Sequence, residues 1–69
     1  MQKDLSKVPA KVTIKNVGTE EVGFRYFRVN FVEVLKAADE VVLSAASSEE
    51  AAYYVALADA NVGLEVTVA

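Results

Sequence analysis

The segment 24–35 constrains the fold of this chain more than any other part. Aromatic and β-branched residues dominate it, and such residues favour extended strands. Phe24, Phe27 and Phe31 are also spaced by three and four residues, which suits one face of a helix. Because no N-cap residue precedes Phe24, we predict a single strand over 24–35. A bulge near Asn30, or a partly helical path, remains an alternative.

Two further segments alternate between apolar and polar residues, which is the pattern of a strand with one buried face. In the segment 11–17, Val12 and Ile14 share one side. In the segment 63–68, every second residue is again apolar. A short apolar run predicts another strand over 41–46.

A capping box predicts one helix over 48–60. The Ser47 hydroxyl can accept a hydrogen bond from the backbone N–H of Glu50, whose carboxylate reaches back toward Ser47. Asn61 or Gly63 can adopt the left-handed conformation that ends the helix. The predicted core stripe of the helix consists of Ala51, Val55, Ala58 and Val62, with Tyr54 beside it.

These elements predict a single small α+β domain in the order β-β-β-α-β, a four-stranded mixed sheet with one helix packed on one face. A flexible N-terminal arm is predicted over 1–10, and the domain over 11–69. The strands 24–35 and 41–46 are expected to form an antiparallel hairpin. The last strand, parallel to 41–46, is then predicted to pair with it or with 11–17, parallel in either case.

The composition excludes several classes of chemistry. The 69 residues include no cysteine and no histidine, so disulfides, thiolate or histidine catalysis and the common zinc or haem ligand sets are absent. The adjacent acid pairs Glu20-Glu21, Asp39-Glu40 and Glu49-Glu50 are poor general acid–base dyads, because neighbouring side chains point apart. The sequence therefore predicts no enzymatic activity, no cofactor and no metal.

The ionisable residues divide unevenly between the two halves of the chain. Positions 1–36 hold all seven basic residues and four acids, and positions 37–69 hold six acids and no base. Such asymmetry marks either a nucleic-acid or partner surface or strands that neutralise one another within the molecule. No apolar run approaches the roughly 18 residues of a bilayer span. The expected location is the cytoplasm, or a particle assembled inside the cell.

One predicted helix can cover only one face of the sheet. The residues predicted to remain on the other face are Phe24, Tyr26, Phe27, Val29, Phe31, Val32 and Val34. An apolar face of this kind predicts a structural or protein-interaction module that forms a homodimer or larger assembly, or that binds another protein. The alternative is that both apolar sets fold into one core beneath the helix.

Two other functions compete with this interpretation. Arg25, Tyr26, Phe27 and Arg28 on a sheet could bind single-stranded nucleic acid, with Lys11, Lys15, Arg25 and Arg28 as candidate anion contacts. The net charge of −3 opposes this function. A monomeric domain that binds a small ligand is the second competitor.

Overall fold

The computed structural model describes residues 8–69. The elements are β1 (Ala10–Asn16), β2 (Val22–Arg25), β3 (Val32–Leu35), β4 (Glu40–Ala45), α1 (Ser48–Ala60) and β5 (Leu64–Val68). The helix and the strands predicted over 11–17, 41–46 and 63–68 are confirmed to within one residue at each end. The α+β class with one helix is confirmed as well. Most of the predicted arm over 1–10 lies outside the described residues, and Ala10 already belongs to β1.

The prediction of one strand over 24–35 is wrong, because the chain reverses there. The N–H of Val29 donates to the carbonyl of Tyr26 at 3.2 Å, which closes a turn between β2 and β3. Arg28 adopts a left-handed conformation in this turn, with φ of 54°. The reversal places Phe24 and Leu35 on the same buried face although their sequence positions differ in parity. A turn, not a bulge or a helical segment, therefore produces the change in periodicity.

The single four-stranded sheet is also wrong, since the strands form two sheets. One has the order β4-β1-β5, and the other is the β2–β3 hairpin. β1 is antiparallel to both of its neighbours, so the predicted mixed sheet, with the last strand paired in parallel, is wrong. The predicted pairing between β3 and β4 does not occur, because the connection 36–39 carries the chain from one sheet to the other. The additional reversal in the hairpin makes β4 antiparallel to β1, whereas β4 and β5 run parallel on either side of it.

The three-stranded sheet has one apolar face and one polar face. Its apolar face is covered by α1 and by the β2–β3 hairpin, which contribute to one common core. The buried apolar residues are Ala10, Val12, Ile14, Phe24, Leu35, Ala45, Ala51, Tyr54, Leu64 and Val66. The uncovered face carries Lys11, Thr13 and Lys15 on its central strand. The expectation that this face holds the aromatic residues of the segment 24–35 is therefore incorrect.

Charges from the two halves of the chain meet on this polar face. Lys15 lies directly opposite Glu40 on β4 and opposite Glu65 on β5. Cross-strand pairs of opposite charge stabilise a sheet modestly. The uneven distribution of charge along the sequence is thus partly balanced within the fold.

The N-terminus of α1 follows the predicted capping box with one difference, whereas the C-terminus does not follow the prediction. The N–H of Glu50 donates to Ser47 Oγ at 3.1 Å, and Glu50 Oε1 accepts from the N–H of Ala46 in place of that of Ser47. The C-cap Asn61 is extended, with φ of −127°, so the prediction that a left-handed residue ends the helix is wrong; Gly63, with φ of 104°, lies in the turn that follows. Val62 was predicted to extend the core stripe, but it lies beyond the last helical turn and is fully exposed. No helix within residues 8–69 has the length and apolarity needed to cross a bilayer.

Asn16 is the one polar residue buried among residues 8–69, and it connects three parts of the chain. Its Nδ2 donates to the carbonyl of Glu20 at 2.7 Å and to that of Leu35 at 2.9 Å. Its Oδ1 accepts from the N–H of Gly18 at 2.9 Å. The amide therefore joins the end of β1 to the β1–β2 loop and to the end of β3, with every bond made to backbone.

Replacement of Asn16 by Ala is expected to destabilise the fold severely. The change would leave the buried carbonyl of Leu35 without a partner, which costs about 1–3 kcal/mol, and would also remove the part-buried bonds to Glu20 and Gly18. A domain of this size has only about 3–5 kcal/mol of stability, so N16A is expected to be largely unfolded at 25 °C by circular dichroism. The exposed Asn30 is the control, and N30A should change stability by less than about 0.5 kcal/mol. A cooperative N16A unfolding transition close to that of the parent protein would contradict this role.

Replacement of Ala38 by Gly is expected to stabilise the protein. Ala38 has φ of 71°, in the left-handed region that costs a residue with a Cβ about 1–2 kcal/mol. Glycine removes that cost, and the net gain after its higher unfolded-state entropy should be about 0.5 kcal/mol or more. A37G is the matched control, since Ala37 is equally exposed and has no positive φ. In urea denaturation, A37G should lower the free energy of unfolding by about 0.4–1 kcal/mol. Equal effects of A38G and A37G on stability would contradict the role given to the positive φ of Ala38.

Candidate functional site

Two tyrosines of α1 fix the β2–β3 hairpin on the helix. The hydroxyl oxygen of Tyr54, a residue that is only 1% exposed, accepts a hydrogen bond from the N–H of Phe27 at 3.0 Å. The hydroxyl of Tyr53 donates to the carbonyl of Arg25. Both bonds reach backbone groups close to the hairpin turn. The hairpin backbone is therefore held by adjacent residues of one helix.

Aromatic rings reinforce this contact. Tyr54 packs edge-on against Phe24 and against Tyr26, with ring centroids 6.5 Å apart in both pairs. Phe27 packs on Tyr53 at 5.4 Å. Such pairs contribute about 0.5–1.5 kcal/mol each beyond the area they bury. The ring contacts and the two hydrogen bonds together give the hairpin a defined orientation.

The register of the hairpin separates a core face from an outer face. Val22, Phe24, Glu33 and Leu35 share the core face, so Gly23, Arg25, Val32 and Val34 share the outer face. Val32 is 53% exposed and Val34 is 50% exposed. A Cβ on Gly23 would lie 3.3 Å from Val32 Cγ1 and 3.9 Å from Val34 Cγ2, so the two valines lean over the glycine backbone. The outer face therefore carries two exposed valines over the glycine, with Arg25 beside them.

Two more exposed apolar residues lie near the turn. Val29 and Phe31 are about half exposed, and the Phe31 ring packs 5.7 Å from that of Tyr26, on the inner side of the hairpin tip, whereas Val32 and Val34 are on the outer face. Residues 8–69 contain eight large apolar residues that are exposed, and four of them lie within positions 29–34. We call Val29, Phe31, Val32 and Val34 the hairpin patch. These four residues are the densest run of exposed apolar side chains along the described chain.

The structure divides the seven residues of the predicted interaction face. The four residues of the hairpin patch are exposed, whereas Tyr26 and Phe27 are half-buried against α1. Phe24 is 4% exposed and belongs to the core, so it is not available to a partner. The exposed part of the predicted face therefore lies on the hairpin and not on the main sheet.

The four basic residues considered as anion contacts lie in different places. Lys11 and Lys15 are on the polar face of the three-stranded sheet. Arg28 pairs with Glu49 at 3.2 Å and lies 4.9 Å from the centre of the Phe27 ring. Arg25 is on the outer face of the hairpin. The basic side chains are thus not gathered on one surface.

The aromatic residues beside the two arginines are divided in the same way. Tyr26 turns inward, where its hydroxyl donates to Glu33 Oε1 at 3.1 Å. Phe27 packs against Tyr53 of α1. The sequence Arg25-Tyr26-Phe27-Arg28 therefore does not present two exposed rings between two free guanidinium groups, as base stacking on a sheet would require.

One open depression of about 370 Å³ lies between the β1–β2 loop and the turn that precedes β5. It is lined by Asn16, Gly18, Thr19, Glu20, Glu21, Val22, Val62 and Gly63. Its charged groups are two carboxylates, which would repel anionic ligands. Within residues 8–69, no three His, Cys, Asp or Glu residues are grouped so that they could hold a metal ion.

Comparisons with protein families, with curated proteins and with solved structures found no match to this chain.

Alkaline pH is expected to weaken the contact between hairpin and helix. Burial raises the pKa of Tyr54, and burial followed by the hydrogen bond to Glu33 raises the pKa of Tyr26. A raised pKa in the folded state means that folding favours the neutral phenol. The corresponding stability is fully present below the ordinary tyrosine pKa of about 10, and it is lost as pH rises through the higher pKa of the folded state.

The measurement is the urea midpoint from pH 8 to pH 11.5, with Y54F as the control. At pH 7, Y54F should be about 1 kcal/mol less stable, because the N–H of Phe27 loses its partner. Its midpoint should then fall less steeply above pH 10 than that of the parent protein, since one titrating phenol has been removed. If the urea midpoints of the two proteins fall equally with pH, ionisation of Tyr54 does not contribute to the loss of stability at alkaline pH.

Proposed function

We propose that this chain is a non-enzymatic protein-interaction module that binds an apolar surface of another protein through the hairpin patch. The observation that carries the proposal is the concentration of exposed apolar side chains in positions 29–34 of an ordered hairpin. Fully burying a valine or phenylalanine stabilises a complex by about 1.5–3 kcal/mol, so four half-exposed side chains offer roughly 3–6 kcal/mol. That is comparable with the whole stability expected of so small a domain.

The attachment of the hairpin to α1 supports the same role. Binding costs free energy when loops and side chains must be ordered at the interface. Here the hydrogen bonds to Tyr53 and Tyr54 already hold the backbone beside the patch. The valines are β-branched and lose little rotamer freedom on contact. A partner therefore meets a surface that is largely organised before it binds.

Arg25 favours a partner with acidic groups beside its apolar contact. Its side chain is exposed and lies opposite Val32 on the outer face of the hairpin. Arg28–Glu49 is the one ion pair formed within residues 8–69, so Arg25 has no carboxylate partner there. A two-fold contact between two hairpin patches would bring two Arg25 side chains into one interface, whereas a different protein can supply carboxylates.

The proposal is tested by selecting peptides from a displayed random library against the full chain. Enriched peptides should combine aromatic or aliphatic residues with Asp or Glu. The double variant V32K/V34K should bind them at least about tenfold more weakly, which corresponds to 1.4 kcal/mol. V17K/V62K is the matched control, because it adds the same charge at two other exposed valines and should bind normally.

Several outcomes would overturn the proposal. One is a set of selected peptides that bind V32K/V34K as tightly as the parent protein. Another is a salt-dependent affinity for single-stranded oligonucleotides that R25A/R28A removes, because this result would assign the surface to nucleic acid. A third is a dimer that V32K/V34K dissociates, since the patch would then be a contact between copies of the chain.

A further inference from the structure

The outer strands of the three-stranded sheet each leave one row of backbone groups unpaired within residues 8–69. The N–H of Asn16 donates to Asp39, so even-numbered residues of β1 bond to β4. Lys11 and Ala69 exchange two bonds, so odd-numbered residues bond to β5. Because bonding alternates along an antiparallel pair, Glu40, Val42 and Ser44 direct their backbone groups away from β1. Those groups form the open edge of β4.

The edge of β4 differs from that of β5 in the apolar surface beside it. Val42 is 53% exposed on the polar face, and its neighbours Val41 and Leu43 are only half-buried although they point toward the core. On β5, by contrast, Leu64 and Val66 are 6% and 4% exposed. A strand added beside β4 would therefore bury apolar side chains on both faces of the sheet. A strand added beside β5 would gain much less.

Nothing in β4 protects this edge in the usual ways. Natural edge strands carry lysine, proline or a bulge that prevents pairing with another chain. The sequence of β4 contains none of these residues, and its one charge is at Glu40, the first position. Its pairing with β1 continues without interruption from Glu40 to Ala45. The edge is therefore regular and long enough to accept another strand.

We propose that two copies of this chain join through β4, antiparallel and about a two-fold axis at Val42, to form one continuous six-stranded sheet. Val42 then pairs with Val42 of the partner subunit, and Glu40 pairs with Ser44 of the partner subunit. All three residues with free backbone groups find partners that are also free. Each of these pairs exchanges two backbone hydrogen bonds.

Charge and backbone pairing favour this register over the registers shifted by two or four residues. A shift of two residues in either direction leaves one of the free positions without a partner. A shift of four residues in one direction places Glu40 opposite Glu40 of the partner subunit, and like charges directly opposite one another are destabilising. With the axis at Val42, the two glutamates are separated and the valines meet. On the core side, Val41 lies opposite Leu43 of the partner subunit.

This interface is separate from the hairpin patch, so it stands independently of the function proposed above. Arg25 and the patch belong to the β2–β3 hairpin, whereas the interface uses the edge of the other sheet. A dimer of this kind would carry two hairpin patches. Two linked binding sites raise the overall affinity for a repeated or multivalent partner.

The chain has no cysteine, so single introduced cysteines can report the register directly. In the proposed dimer, the two Cα atoms at position 42 are about 5.5 Å apart, which lies within the range for a disulfide. V42C should therefore form a covalent dimer rapidly with oxidised glutathione. Ser44 is on the same strand and equally accessible, but its two copies would be roughly 13 Å apart along the strand axis. S44C and V62C should form no covalent dimer under the same conditions.

Sedimentation of the V42K variant is the second measurement. Two lysines would meet at the axis, so the dimer dissociation constant should rise at least about tenfold, whereas V62K should leave it unchanged. Equal cross-linking of V42C, S44C and V62C, or a V42K variant that dimerises as tightly as the parent protein, would overturn the proposed register. A parent protein that remains monomeric at millimolar concentration would overturn the interface itself. Neither result bears on the peptide binding of V32K/V34K, so the two proposals can fail separately.

Discussion

The path of this chain depends on the buried amide of Asn16. The chain has to pass from the three-stranded sheet into the hairpin and back again, and both crossings occur beside this residue. Its hydrogen bonds join the β1–β2 loop to the end of β3, while its backbone N–H and carbonyl hold the connection 36–39. A buried polar group stabilises a fold only when its bonds are satisfied. Here all three side-chain bonds are made to backbone, so the residue specifies the route of the chain as well as contributing to its stability.

Local sequence patterns correctly predicted the strands and the helix that depend on residues close to one another in sequence. The alternation around Val12 and Ile14 and the capping box at Ser47 each depend on residues close in sequence, and the structure agrees with both. The turn within 24–35 has no such signal, because it contains neither glycine nor proline and places Arg28 in the left-handed region. It is held by Tyr53 and Tyr54 instead, more than 25 residues away. A local pattern cannot reveal this contact, and one missed reversal changed the predicted direction and pairing of the strands that follow.

The same missed turn explains which parts of the candidate surface could be predicted. The sequence indicated that the segment 24–35 holds more apolar side chains than one helix can cover, and half-exposed residues do remain there. It could not distinguish Phe24 from Phe31, because both are phenylalanines in a continuous apolar run. Their difference arises from the hairpin, which turns Phe24 toward Tyr54 and leaves Phe31 near the tip. The open edge of β4 was beyond prediction as well, since it depends on β1 taking the centre of the sheet.

The central position of β1 also has a consequence for how the domain is made. Among the described strands, β1 leaves the ribosome first, but one of its two neighbours is β5, the last of them to be synthesised. Lys11 completes its backbone hydrogen bonds only with Ala69. Pairing between residues so distant in sequence requires loop closure before its contacts form, and it therefore forms slowly. During translation the hairpin and α1 therefore have no complete sheet to pack against, and the domain reaches its native state only after synthesis has passed β5.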